Sequence, residues 1–70
     1  MAERLTLDVN GRSVELEAGA TVADLLGSEG CGPRGVAVAV NSELVRRADW
    51  PALRLADGDQ VEILHAVAGG

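Results

Sequence analysis

The chain has 70 residues, a net charge of −5, a hydrophobic fraction of 47% and Trp50 as its only aromatic residue. This length allows one small domain, whose core has to be built from aliphatic side chains. The negative charge argues against nucleic-acid binding, which relies on basic patches, and favours a basic partner surface. The sequence has neither an apolar run of membrane-spanning length nor a signal-peptide pattern, so we expect a cytoplasmic protein that does not bind membranes.

The residues that carry most enzyme and metal chemistry are scarce. Cys31 is the only cysteine and His65 the only histidine, so we expect neither a disulfide framework nor a metal site. The sequence has no nucleophile–base set and no phosphate-binding glycine loop. Asp57 and Asp59 flank Gly58, a pattern more typical of a turn than of an acid–base pair. We expect no catalytic residue and no bound cofactor, with Cys31 in a loop or packing role.

The first third of the chain predicts a β-hairpin. Apolar and polar residues alternate over residues 5–9 and again over 14–17, the period of half-buried strands. Between them stands Asn10-Gly11, the strongest short sequence signal for a type I′ hairpin turn.

A short helix is predicted after the hairpin. Thr21 suits the N-cap and Asp24 suits the positive end of the helix dipole. Val22 begins an apolar stripe at helical spacing. Glycines limit the helix to two or three turns, and residues 30–35 have the composition of a loop.

The second half of the chain predicts three more strands. Residues 36–40, VAVAV, form an apolar strand with its valines toward the helix and its alanines on the opposite side. A turn leads to a short edge strand at 43–45, and Pro51 interrupts regular structure. Residues 61–67 form the last strand. Three apolar residues cap one end of the core: Trp50, Leu53 and Leu55.

The sequence ends in Gly69-Gly70. Because glycine has no Cβ, such an end can carry its carboxylate through a channel too narrow for other residues. The carboxylate is ionised at neutral pH and can attack the α-phosphorus of ATP. The acyl-adenylate can then transfer its acyl group to sulfur or nitrogen. The alternative is that the two glycines are only a frayed or artificial end.

Four segments in this order resemble the bacterial sulfur carrier (ThiS) family of thiamine-thiazole synthesis, within the MoaD/ThiS superfamily. Residues 40–45, VNSELV, resemble its VN-x-E-x-V segment, and Arg47 and Trp50 stand where its Arg and Trp are common. Residues 55–63 resemble L-x-x-GD-x-VEI, and residues 65–70 resemble xAVxGG. Arg46 departs from the pattern, where a proline is common.

The resemblance implies an α+β fold of the β-grasp, ubiquitin-like class, with a mixed sheet of four to five strands packed on one main helix. Residues 1–67 would form the single domain and residues 68–70 a flexible tail. An E1-like adenylating enzyme would consume ATP to activate Gly70, with Gly69 and Ala68 as the rest of the tail. A cysteine desulfurase relay would supply sulfur to form a thiocarboxylate, and thiazole synthase would accept that sulfur. The protein would be a carrier and not an enzyme.

Three other interpretations remain open. The small subunit of molybdopterin synthase, MoaD, shares the fold and the thiocarboxylate chemistry, although its last strand has more phenylalanine. A ubiquitin-like protein modifier would join its C-terminus to lysines of targets. A β-grasp interaction module would not use its terminal glycines.

Strand alternation predicts a docking surface on the sheet face opposite the helix. If Val61 and Ile63 point to the core, the residues between and after them point outward. Leu64 would then be an apolar anchor within a flat patch, bordered by the acidic Asp57, Asp59 and Glu62. The predicted contact residues are Glu62, Leu64, Ala66, Ala37 and Ala39.

Overall fold

The computed structural model of the chain describes residues 3–30 and 35–65. Its strands are β1 (Arg4–Val9), β2 (Arg12–Glu17), β3 (Val36–Val40), β4 (Glu43–Val45) and β5 (Gln60–His65). Its helices are α1 (Val22–Ser28) and a short 3-10 helix (Arg47–Asp49). No helix in the described ranges is long and apolar enough to span a membrane.

The five strands form one mixed sheet in the order β2-β1-β5-β3-β4. β1 and β5 are parallel, whereas the β1–β2, β3–β5 and β3–β4 pairs are antiparallel. Helix α1 packs on one face of this sheet and shares a single core with it. The predicted β-grasp α+β fold is confirmed, and the strand that leads to the C-terminal residues lies at the centre of the sheet.

The predicted hairpin turn is present between β1 and β2. Asn10 and Gly11 have φ angles of 51° and 83°, the positive values that a type I′ turn requires at both central positions. This two-residue turn sets the register in which Leu7 pairs with Val14. That register directs both residues toward the helix and gives the hairpin one apolar face.

Helix α1 begins with the capping predicted from sequence. The Asp24 backbone N–H donates to Thr21 Oγ1 over 3.2 Å, and the Thr21 backbone N–H donates to Asp24 Oδ2 over 2.9 Å. This reciprocal capping box satisfies N–H groups that have no partner inside the helix. The helix has seven residues, or about two turns, and buries Val22, Leu25 and Leu26.

The core is aliphatic around one tryptophan. Trp50 and Leu55 are buried, with exposures of 6% and 5%, whereas Leu53 is 37% exposed. The prediction that Leu53 caps the core is therefore wrong. Leu53 supports helix α1 through its backbone instead, because its carbonyl oxygen accepts a hydrogen bond from the Val22 N–H at 3.0 Å. The other buried residues of this core are Leu7, Val9, Val22, Leu25, Leu26, Val38, Val61 and Ile63.

Two sequence predictions fall partly outside the described residues. The loop with Cys31 lies mostly outside them, as do Ala66, Val67 and the predicted tail 68–70 with Gly69 and Gly70. The last strand begins at Gln60, one residue earlier than predicted, and is described as far as His65.

Candidate docking surface

The outer face of the sheet, opposite helix α1, has an apolar half formed by β3, β4 and β5. Ala37 pairs with Leu64 across β3 and β5, and Ala39 pairs with Leu44 across β3 and β4. Leu64 is 60% exposed and Leu44 is 76% exposed. The two alanines lie between these leucines and add no bulk, so the two leucines stand on a flat surface.

The other half of the outer face is acidic. Asp8 of β1 and two glutamates of β2, Glu15 and Glu17, alternate with inward-facing residues and are exposed. Arg4 balances part of this charge, since its Nε lies 3.7 Å from Glu15 Oε1. Glu62 pairs with Ala39 on the outer side of β5 and lies at the boundary between the two halves. A partner with an apolar centre and a basic flank would match this division.

The predicted contact residues that can be located lie together on this face. Leu64 and Glu62 point outward from β5, and Ala37 and Ala39 point outward from the adjacent β3. The valines of β3 point to the core side, as predicted, with Val38 fully buried. Ala66 lies outside the described residues.

Asp57 and Asp59 organise the turn before β5. Asp57 Oδ1 accepts a hydrogen bond from the Thr6 N–H at 2.7 Å, and Asp59 Oδ2 accepts one from the Ala56 N–H at 2.8 Å. Asp59 Oδ1 also accepts from Asn41 Nδ2 at 3.0 Å. These bonds support the turn role over an acid–base role. Within the described ranges, no group of three or more His, Cys, Asp or Glu side chains is arranged to hold a metal ion.

Sequence reasoning missed Leu44 as a surface residue. Leu44 also lines an open groove of about 560 Å³ between β4 and the segment after the 3-10 helix, together with Leu53, Arg54 and Asp59. The available signal was the alternation in Glu43-Leu44-Val45. Val45 packs against the core, so its neighbour on a strand has to point to the opposite face.

Two asparagine side chains hold β5 from both sides. On the β1 side, Asn10 Nδ2 donates to the Ile63 carbonyl oxygen at 3.0 Å, and the Ile63 N–H donates to Asn10 Oδ1 at 2.8 Å. On the β3 side, the Gln60 N–H donates to Asn41 Oδ1 at 3.0 Å. Both asparagines begin a two-residue turn with a positive φ. The turns thus fix the position of the strand that precedes the C-terminal residues.

Comparison with known proteins identifies the family. The model of the ThiS family matches residues 3–70, nearly the whole chain. The chain belongs to the ThiS family.

Solved and curated relatives agree with this ThiS assignment. The crystal structure of the thiamine biosynthesis protein ThiS from Geobacter metallireducens superposes with a TM-score of 0.79 and 30% identity, covering 94% of this chain and all of that one. The sulfur carrier protein ThiS of Escherichia coli strain K12 is 34% identical over 61 residues, which are 87% of this chain and 92% of that protein.

Two further relatives are longer proteins. The thiazole synthases of Magnetococcus marinus and Paramagnetospirillum magneticum are each 36% identical over 66 residues, or 94% of this chain. The chain spans about one fifth of the length of each of these thiazole synthases, with 20% covered.

Proposed function

We propose that this protein is a sulfur carrier for thiazole formation in thiamine biosynthesis, and that Gly70 carries the sulfur as a thiocarboxylate. The observation that carries the proposal is the match to the Escherichia coli sulfur carrier protein ThiS at 34% identity over nearly the full length of both chains. The ThiS family match extends to residue 70 and so includes the glycine pair. This assignment favours the thiazole carrier over the molybdopterin synthase subunit and the protein modifier.

The chemistry takes place at the carboxylate of Gly70 in two steps. The carboxylate oxygen attacks the α-phosphorus of ATP, and pyrophosphate leaves. Sulfide then attacks the acyl carbon of the adenylate, AMP leaves, and the thiocarboxylate remains. With a persulfide as the donor, the same attack gives an acyl disulfide, and a thiol reductant has to cleave its S–S bond to release the thiocarboxylate. The carboxylate by itself is a poor electrophile, so the activating enzyme has to provide the leaving group and stabilise the charge that develops. The carrier contributes recognition and delivery, and acts as a substrate of its partners.

Thiazole synthase is the partner with the most direct support. Two proteins named thiazole synthase contain a stretch, one fifth of their length, that is similar to 94% of this chain. A carrier-like stretch joined covalently to thiazole synthase keeps the two at a high effective concentration. This arrangement favours thiazole synthase as a partner of this chain, in the cytoplasm. An E1-like adenylating enzyme and a cysteine desulfurase relay complete the proposed set of partners.

The apolar half of the outer face is the proposed docking surface for these enzymes. Leu44 and Leu64 are large, exposed apolar side chains with no role in the core, so they can be buried on binding without loss of folding stability. Leu64 is the second-last described residue of β5. A partner that covers Leu64 therefore lies close to His65, the last described residue before the C-terminal glycines.

The test is conversion of the purified chain by an adenylating enzyme, ATP and a sulfur donor. Intact-mass spectrometry should detect replacement of one oxygen by sulfur, and fragmentation should locate it at Gly70. The enzyme must first be shown to activate another carrier. With that control in place, an unchanged mass would reject the carrier function and leave the interaction module as the remaining interpretation.

A further inference from the structure

The hairpin turn Asn10-Gly11 has a chemical property that the carrier function does not use. We propose that Asn10 is a site of spontaneous deamidation, that its hydrogen bonds to Ile63 limit the rate, and that the product weakens the attachment of β5. An asparagine followed by glycine is prone to this reaction because the next backbone nitrogen is not shielded by a side chain. A Cβ placed on Gly11 would meet no atom within 4 Å, so the space beside the turn is open on the side where a side chain would stand.

The reaction is intramolecular and needs only water. The Gly11 backbone nitrogen, after losing its proton, attacks Asn10 Cγ, and the new C–N bond closes a five-membered succinimide. The bond from Cγ to Nδ2 breaks, and Nδ2 leaves as ammonia. Water then opens the ring at either carbonyl. One route gives aspartate, and the other gives isoaspartate, in which the main chain continues through the side-chain carbon.

The folded structure restrains the first step. Asn10 Nδ2 donates to the Ile63 carbonyl oxygen at 3.0 Å, while Asn10 Oδ1 accepts from the Ile63 N–H at 2.8 Å. Two bonds to one residue fix the plane of the carboxamide. Attack by Gly11 requires that plane to turn, which breaks both bonds. Deamidation should therefore proceed through local opening between β1 and β5, where Asp8 pairs with Gln60 and Val9 with Val61, and where the Asn10 N–H donates to the Val61 carbonyl oxygen at 3.0 Å.

Either product damages the contact with β5. In aspartate, an anionic oxygen replaces the Nδ2 donor and faces the Ile63 carbonyl oxygen, so an attraction becomes a repulsion. In isoaspartate, the turn gains one main-chain atom, although the β1–β2 register depends on a two-residue turn. Deamidation of this turn therefore weakens the attachment of the central strand β5.

Asn41 provides a matched control within the same chain. Like Asn10 it begins a two-residue turn, with φ of 50°, and its carboxamide is hydrogen-bonded to Asp59 and to the Gln60 N–H. The residue after it is Ser42, whose side chain shields the backbone nitrogen. Ser42 has φ of 72°, a value that glycine adopts freely, so Ser42→Gly preserves the turn while giving Asn41 the same neighbour as Asn10.

The experiment follows both sites by peptide mass mapping during incubation at mildly alkaline pH. The full chain is incubated folded and, in parallel, in concentrated urea. We expect Asn10 to be converted severalfold more slowly in the folded chain than in urea. Asn41 should be converted more slowly than Asn10 under both conditions. In the Ser42→Gly variant in urea, Asn41 should be converted as fast as Asn10. The Asn10→Gln variant, whose longer side chain closes a less favourable ring, should release little ammonia.

Several results would overturn the proposal. Equal deamidation rates in folded and unfolded chains would show that the hydrogen bonds to Ile63 do not limit the reaction. No conversion in the folded chain would show that Asn10 is not a deamidation site there. Conversion of Asn41 as fast as Asn10 in the unsubstituted chain would show that the glycine after Asn10 does not accelerate the reaction. The modified form, separated by its extra negative charge, should also unfold at lower urea than the unmodified form, and identical unfolding curves would reject the effect on β5. None of these measurements depends on sulfur transfer.

Discussion

The indole Nε1 of Trp50 donates a hydrogen bond to the carbonyl oxygen of Val45 at 3.2 Å. This bond joins the only aromatic ring to the last residue of edge strand β4. The ring itself is 6% exposed, and its backbone carbonyl accepts a hydrogen bond from Ala23 of helix α1 at 3.0 Å. Trp50 therefore connects the edge of the sheet, the core and the helix.

Replacing Trp50 should be the most damaging single core change. Trp50→Ala is expected to lower the free energy of unfolding by about 3–5 kcal/mol, the usual cost of removing a buried ring. Trp50→Phe keeps most of the packing and loses the bond to Val45, so its cost should be smaller. Urea unfolding followed by circular dichroism measures both, because the substitutions remove the only fluorophore. An alanine variant as stable as the original chain would contradict the packing role.

The start of helix α1 gives a second stability prediction. Thr21→Ala removes the oxygen that accepts the Asp24 N–H, and should lower the free energy of unfolding by about 1 kcal/mol. Thr21→Ser retains that oxygen and serves as the control. Because the capping box is reciprocal, the effects of Thr21→Ala and Asp24→Ala should not add. Strictly additive effects in a double-mutant cycle would mean that the two residues act separately.

Local structure could be predicted from sequence because it depends on neighbouring residues. The Asn10-Gly11 turn, the Thr21 cap and the alternation in β3 all arise within a few positions, and the structure confirms them. The bonds between Asn10 and Ile63 join residues 53 positions apart. They exist only because β1 and β5 are neighbours in the sheet, which no local pattern reveals.

The candidate docking surface was only partly predictable for the same reason. Alternation within one strand predicts that Leu64 lies on the outer face. Leu44 joins it through the order of strands β5, β3 and β4. The apolar side chain of Leu53 and its closeness to Trp50 in sequence predict a core position that the structure does not show. In an irregular connection no period fixes the side-chain direction, and this residue is exposed.

A third prediction tests the docking surface with charge substitutions. Leu64→Asp and Leu44→Asp place a charge in the apolar half, and this charge has to be desolvated when a partner binds. Each should weaken association with the adenylating enzyme by about 2 kcal/mol or more, the scale of an interface hot spot. Ala48→Asp is the control, because Ala48 is exposed and lies in the 3-10 helix, outside the sheet and outside the groove that Leu44 lines. Isothermal titration calorimetry gives the three affinities.

The concentration dependence of the Leu64→Asp defect and the affinities of the three variants together test the docking surface. The defect of Leu64→Asp in pyrophosphate exchange should diminish as the enzyme concentration rises, since the reacting group is unchanged. Circular dichroism checks that each variant is folded. Equal affinities for all three variants would exclude the apolar half as the contact surface.

The last prediction separates the reacting end from docking. Gly69→Val introduces a β-branched side chain, which adds bulk in a narrow channel and excludes backbone angles that only glycine adopts freely. Misplacement of the carboxylate should lower adenylation by about 10²-fold at saturating enzyme, and deletion of Gly70 should abolish productive transfer.

Gly69→Ala, with only a methyl group added, should fall between the original chain and Gly69→Val. All three should unfold like the original chain, because both altered positions lie beyond the described core residues, the last of which is Ile63. Pyrophosphate exchange across an enzyme concentration series measures the defect, which should persist at high concentration, unlike that of Leu64→Asp. Normal adenylation of Gly69→Val would show that the glycine pair has no role in reaching the active site.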